Sequence, residues 1–153
     1  MRLILFIAAL LAAAPAAAHV TVAPKQSVAG AHERYAILVP NEKQADMIAV
    51  EVTFPKGLGV KAFQQLPGWM TEPVRDKSGA LVGARWTGRL APQQFVELGV
   101  LAINPAAGSD LVWAAVQRFA DGSSIEWSGA AGSKTPAAHV KLIKAAEPKM
   151  PAH

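Results

Sequence analysis

Few residue types in this chain can do chemistry, and one of them stands at an unusual position. The 153 residues include no cysteine, four histidines and eleven acidic residues scattered singly. Without thiolates, soft-metal chemistry must rest on imidazole, thioether, carboxylate or a terminal amine. His19 directly follows the small-residue run Pro15-Ala16-Ala17-Ala18. Upstream, Arg2 gives a positive start and residues 3–13 (LILFIAALLAA) form an eleven-residue apolar stretch. Ala16 and Ala18 then occupy the positions a signal peptidase reads, so residues 1–18 are expected to be a cleaved secretory signal peptide. The apolar stretch is well short of the roughly 20 residues a spanning helix needs. A cut after Ala18 makes His19 the first residue of a mature chain, the last 135 of the 153 residues. A cut one or two residues earlier is the alternative.

An N-terminal histidine offers two nitrogens to one metal ion. Its α-amine and imidazole Nδ1 close a single chelate ring, and a free α-amine titrates near pH 7.7–8.0, roughly, so losing its proton to Cu(II) costs little at neutral pH. Copper(II) heads the divalent affinity order for nitrogen and oxygen donors, and its square-planar preference suits two nitrogens plus a carboxylate or water. On the terminus alone, a histidine that follows the cleavage site by chance explains the same residues.

Other chemistries find little footing. The serines of SVAG (27–30) and DGSS (121–124) sit in turn-like contexts, and no G-x-S-x-G, H-E-x-x-H, P-loop or G-x-G-x-x-G motif occurs. The single carboxylates form no glycosidase pair. The formal charge is +4, or +3 without Arg2, and no block of Lys and Arg forms a strip for nucleic acid or anionic lipid. After residue 18 no apolar run reaches spanning length, so no membrane span is expected in the mature chain.

The elements that must position His19 read as all-β. HVTVA (19–23) alternates and stops at Pro24. ERYAILV (33–39) puts Tyr35, Ile37 and Val39 on one face before Pro40-Asn41. MIAVEVTF (47–54) ends at Pro55 and a Gly57–Gly59 turn, and Thr71–Arg75 pairs with Ala80–Thr87 across Asp76-Lys77-Ser78-Gly79. FVELGVLAI (95–103) closes at Asn104-Pro105. Leu111–Phe119 and Ser124–Trp127 form a second hairpin around Asp121-Gly122, and HVKLI (139–143) is the last strand. LVWAAVQRFA (111–120) also fits a helix, with Leu111, Ala114, Ala115 and Arg118 on one face; the flanking strands and the Asp-Gly turn favour strand. Short strands between Pro and Gly turns predict a two-sheet antiparallel β-sandwich over 19–144, and the Ala/Pro/Lys-rich residues 145–153 an untethered tail.

The mature start HVTVAP (19–24), then GAHERYAILVPNE (30–42), VEVTFP (50–55), LPGW (66–69) and IEWSG (125–129), occur in the order of a known family. The chain resembles the YcnI-like, or DUF1775, domain of exported bacterial copper proteins from residue 19 to about residue 143. The resemblance implies a cupredoxin- or immunoglobulin-like sandwich holding Cu(II) in a monohistidine brace, with a Glu nearby and a Trp over the metal. Carried over by position, the brace falls on His19 and the acid on Glu42 of VPNE, with Glu33 as fallback and Glu51 third. Trp127 of IEWSG is the candidate aromatic; Trp69, Trp86 and Trp113 compete, and all four equally suit core packing. LPGW most simply makes a tight turn that anchors Trp69.

The resemblance implies a periplasmic or secreted Cu(II)-binding protein, acting in copper trafficking, storage or homeostasis with another periplasmic copper protein as partner, and not an enzyme. Two alternatives stand beside it. A copper-dependent oxidative enzyme with a two-histidine brace needs a second ligand such as His32 or His139. A metal-free sandwich would serve as an interaction module. Met150 and His153 in the tail offer weak copper contacts or none.

Overall fold

A computed structural model describes residues 18–147. The expected leader and the tail residues Met150 and His153 lie outside the described residues, apart from Ala18. Eleven strands follow in order: β1 (Thr21–Ala23), β2 (Gln26–Val28), β3 (His32–Pro40), β4 (Met47–Thr53), β5 (Gly59–Phe63), β6 (Met70–Arg75), β7 (Leu81–Leu90), β8 (Phe95–Ile103), β9 (Asp110–Phe119), β10 (Ser124–Trp127) and β11 (Ala138–Ile143). They form two facing sheets, ordered β1-β3-β8-β5 and β2-β11-β9-β4-β7-β6, with β10 added to β9. This is the all-β sandwich that the alternating runs predict.

Period-two alternation decides the one stretch with a helical alternative. Along β9, Leu111, Trp113, Ala115, Gln117 and Phe119 are buried, while Arg118 points out and its partner in β10 is Ser124. A helix would have put Arg118 on the face of Leu111 and Ala115. Two strands, β2 and β5, lie where none was expected, and strand ends shift, β7 running on to Leu90. The ladder of β1 starts at Thr21, leaving His19 and Val20 ahead of it. β2 is three residues between Pro24 and Gly30, too short to show a pattern, and it forms by pairing in parallel with β11. β5 begins at Gly59, because only Gly57, at φ 80°, is needed to turn the chain after Pro55.

Trp86 and Trp113 fill the space between the sheets, with the Tyr35 and Phe54 rings centred 5.1 and 5.9 Å from that of Trp113. Pro67-Gly68 makes the expected tight turn: Gly68 has φ 77° and the Trp69 N–H donates to Leu66 O at 3.1 Å. The Trp69 ring lies flat on the backbone of β7 at Gly88, where a Cβ would come within 2.2 Å of a ring carbon.

One edge of β9 prepares the site. β4 runs along one side of β9, while β10 and β11 lie end to end on the other, at residues 115–118 and 110–113. The chain between them, 128–137, arches away and is pinned at Gly129 and Pro136. The residues leading into β1 sit beside this arch.

Candidate metal centre

The His19 ring sits 5.4 Å, centroid to centroid, from the Trp127 ring at a tilt of 53°. Register explains the meeting. Val20 and Val22 are buried and anchor the start of the chain against the core. Trp127, the inward-facing last residue of β10, is buried beneath it. Glu42 approaches from another direction: its Oε1 accepts the backbone N–H of Ala18 at 2.8 Å. The carboxylate therefore lies one residue from the nitrogen that cleavage after Ala18 would free.

Two buried amides hold these groups in place, and neither stood out in the sequence. Gln117 on β9 accepts the Trp127 indole N–H on Oε1 at 2.8 Å and donates from Nε2 to Pro40 O at 2.7 Å, with Met47 Sδ 3.4 Å away. One side chain thus ties the indole to the end of β3, two residues before Glu42. Its signal was an amide at an inward position of an otherwise apolar alternation. Asn41 shapes the turn that carries Glu42. Its side chain donates to Ala45 O and Leu90 O and accepts from the Lys43 N–H, while its backbone exchanges bonds with Gln93 and Gln94, all at 2.8–3.0 Å. Gln93 takes a left-handed φ of 63° to make that exchange. Lys43, the cation next to Glu42 in sequence, is drawn away: its ammonium bonds Ser123 Oγ, lies 3.5 Å from Asp121 and sits over the Phe119 ring. The Ser123 hydroxyl and N–H hold the Asp121 carboxyl below its usual range, keeping that anion available to Lys43.

The other candidates lie elsewhere. Glu33 occupies the far end of β3, where it accepts from Ser27 Oγ at 2.7 Å. From Glu33 to Pro40 is seven residues of strand, about 23 Å at the usual rise, so the fallback acid is not at the His19 end. His32 shares that far end, lining a hollow with Arg34 and Lys61. Glu51 is taken up by Arg85 and Arg118 at 2.8 and 3.0 Å, and Arg118 first among them holds its carboxyl below the ordinary value. Trp86 and Trp113 are core residues and Trp69 covers Gly88, which leaves Trp127 as the indole beside His19. His139 lines a cleft together with His19.

Among the described residues no three His, Asp or Glu side chains converge as a metal-holding group. A chelate built from a terminal amine and one imidazole needs no such cluster, since it uses a single side chain plus the backbone nitrogen. An imidazole, with a carboxylate bonded to the N–H of the residue before it, suits Cu(II) by donor type.

Comparison with known proteins places this geometry in context. The family model described as a domain of unknown function (DUF1775) matches residues 19–152. Copper-binding protein CutI of Bacillus subtilis (strain 168) is 35% identical over 125 residues, 80% of this chain and 61% of that protein. The chain thus spans about three fifths of that relative's length. An uncharacterized protein from Nocardia farcinica, described as having an immunoglobulin-like fold, superimposes with a TM-score of 0.69 at 26% identity over 81% of this chain and 97% of its own. A cohesin module from a Clostridium perfringens family 33 glycoside hydrolase gives 0.52 at 10% identity over 84% and 100%, a likeness of fold alone.

Proposed function

The chain belongs to the DUF1775 family, and from that premise we propose that it is an exported copper(II)-binding protein whose ligand is made by its own processing. The observation that carries the reading is the His19 ring against the Trp127 indole, with the Glu42 carboxylate bonded to the N–H of the preceding residue, Ala18. Removal of residues 1–18 gives His19 a free amine, and amine and imidazole then chelate the ion as a monohistidine brace. Glu42 sets one negative charge against the divalent cation. Trp127 covers one side and limits water, its orientation fixed by Gln117. Lys43, held by Ser123 and Asp121, does not neutralise Glu42. Copper is cargo in this reading, so the role is trafficking, storage or homeostasis in the periplasm or outside the cell. A carrier is favoured over an oxidative enzyme because His32 is at the far end of the sandwich. The printed name of the Bacillus subtilis relative supports the choice of metal.

The test is a Cu(II) titration followed by electron paramagnetic resonance on two proteins. Both start at His19, confirmed by intact mass; in the second the α-amine of His19 is acetylated. Tight one-to-one binding with nitrogen hyperfine structure is expected only for the first. Its affinity is expected to fall steeply below about pH 6, where protons compete for both nitrogens. Equal binding by the two proteins sinks the brace, and no binding by either sinks the copper reading.

A further inference from the structure

His139 is the one other described histidine on the His19 side of the molecule, and its setting differs from that of an ordinary surface histidine. It is the second residue of β11, and its Nδ1 lies 2.5 Å from Oδ2 of Asp110 at the start of β9. In the ladder Asp110 faces Lys141 while His139 faces Val112, so the carboxylate reaches the ring diagonally across the strands. A carboxylate on Nδ1 keeps the proton there, turns the ring and leaves the Nε2 lone pair as the free donor. Metal-bound histidines are commonly prepared this way, by a carboxylate on the nitrogen that does not touch the metal. Both side chains remain near two-fifths exposed, so Nε2 is not sealed in the core.

The second observation is where this pair sits. His19 and His139 line one open cleft of about 350 Å³, together with the 131–133 part of the arch and Lys25. An ion held by His19 and an ion held by His139 therefore share one solvent space. His32, the third described histidine, has no such arrangement; it lines a hollow with Arg34 and Lys61 at the other end of β3.

We propose that His139, oriented by Asp110, is a second copper(II) position in the His19 cleft, a landing ligand at which hydrated Cu(II) is held by Nε2 before and after it occupies the chelate. The proposal rests on the copper reading given above. One nitrogen plus water binds far more weakly than an amine–imidazole chelate, which suits a place of exchange and not of storage. Lys25 in the same cleft works against a permanently held second cation, and Asp110 supplies the opposing charge. No bond is made or broken beyond exchange of a water on the ion for Nε2.

The experiment reads His139 directly. Histidine side-chain nitrogens are followed by long-range proton–nitrogen NMR while substoichiometric Cu(II) is added, and paramagnetic broadening is measured ring by ring. The protein used starts at His19 with its α-amine acetylated, so that the amine–imidazole chelate is absent. The His139 signals are expected to broaden several-fold more than those of His32. Asp110→Asn is expected to remove most of that difference while the thermal midpoint of the metal-free protein stays within a few degrees. The ring-nitrogen shifts of the metal-free protein are expected to report the proton on Nδ1, and to lose that preference in Asp110→Asn. Equal broadening of His139 and His32 overturns the proposal, as does an Asp110→Asn protein that broadens like its parent. Failure of the brace shows instead as equal tight binding with the α-amine of His19 free and acetylated, so the two outcomes are separable.

Discussion

Trp113 and Trp127 sit on neighbouring strands, in β9 and at the end of β10, and both are buried, yet they are held by different physics. Trp113, like Trp86, packs among aromatic and aliphatic side chains with an indole N–H that has no partner. Such an orphan donor costs about 1–3 kcal/mol, a cost outweighed by the area of a wholly buried ring. Trp127 buries its ring too, but its N–H is bonded to Gln117, which is bonded in turn to the strand end before Glu42. A ring fixed by packing alone needs only to fill space. A ring fixed by a directional bond and turned toward a histidine is being aimed. The first kind supports the sandwich; the second supports what the sandwich presents.

The sharpest way to break this comparison is to remove a core ring. Trp113→Ala is expected to cost about 3–5 kcal/mol in denaturant unfolding, the range for deleting a large buried aromatic. A loss under about 1 kcal/mol would show that the orphaned indole was already poorly accommodated. Next comes the amide that joins the two halves of the candidate centre. Gln117→Leu leaves the Trp127 N–H and the Pro40 carbonyl unpaired, roughly 2–3 kcal/mol of stability. It is also expected to alter the copper resonance spectrum of the mature protein, an effect Trp113→Phe should not have. An unchanged spectrum in Gln117→Leu would separate Trp127 orientation from the metal.

A smaller effect is expected from Trp127→Phe, which keeps a ring in place and costs about 1 kcal/mol. In the mature protein it should abolish most of the tryptophan fluorescence quenching caused by Cu(II), since Trp127 is the indole in contact with His19. Quenching equal to that of the parent would place the ion elsewhere. The smallest effect belongs to the outer face of the larger sheet. Arg118 hydrogen bonding, with Arg85 beside it, holds the Glu51 carboxyl below its ordinary value. The folded state then takes up its proton at lower pH than the unfolded chain does. The resulting stability is complete above the usual carboxylate range, about pH 4, and is lost as pH falls through the lowered folded value. Glu51→Gln should remove about 0.5 kcal/mol at neutral pH, flatten the acid side of the stability profile slightly and leave copper binding alone. A copper effect there would contradict the assignment of Glu51 to a structural ion pair.

Much of the fold was legible because its signal is local. Period-two burial in β3, β4, β8 and β9, and turn chemistry at Asp76–Gly79 and Asp121-Gly122, appear within a few residues of sequence. β2 and β5 were not legible, since three residues beside Pro24 and five after a glycine turn carry no pattern of their own. They are strands because β11 and β8 offer them open edges. The site divides in the same way. His19, Glu42 and Trp127 were named from motifs and resemblance, whereas Asn41 and Gln117 read only as a turn breaker and an odd amide in a strand.

The sequence by itself determined that this is an all-β chain without thiol chemistry, whose unusual histidine follows an apolar leader-like stretch. Those are facts of composition, alternation and adjacency. Only the tertiary structure decided which acid, which indole and which second histidine lie on the His19 side. Glu33 and His32 are closer to His19 in sequence than Glu42 is, yet a nine-residue strand carries them to the opposite end. Trp127 and His139, more than a hundred residues on, are brought back because β10 and β11 share one edge of β9. A strand is a rigid spacer of about 3.3 Å per residue, so sheet pairing, and not distance along the chain, settles which side chains meet.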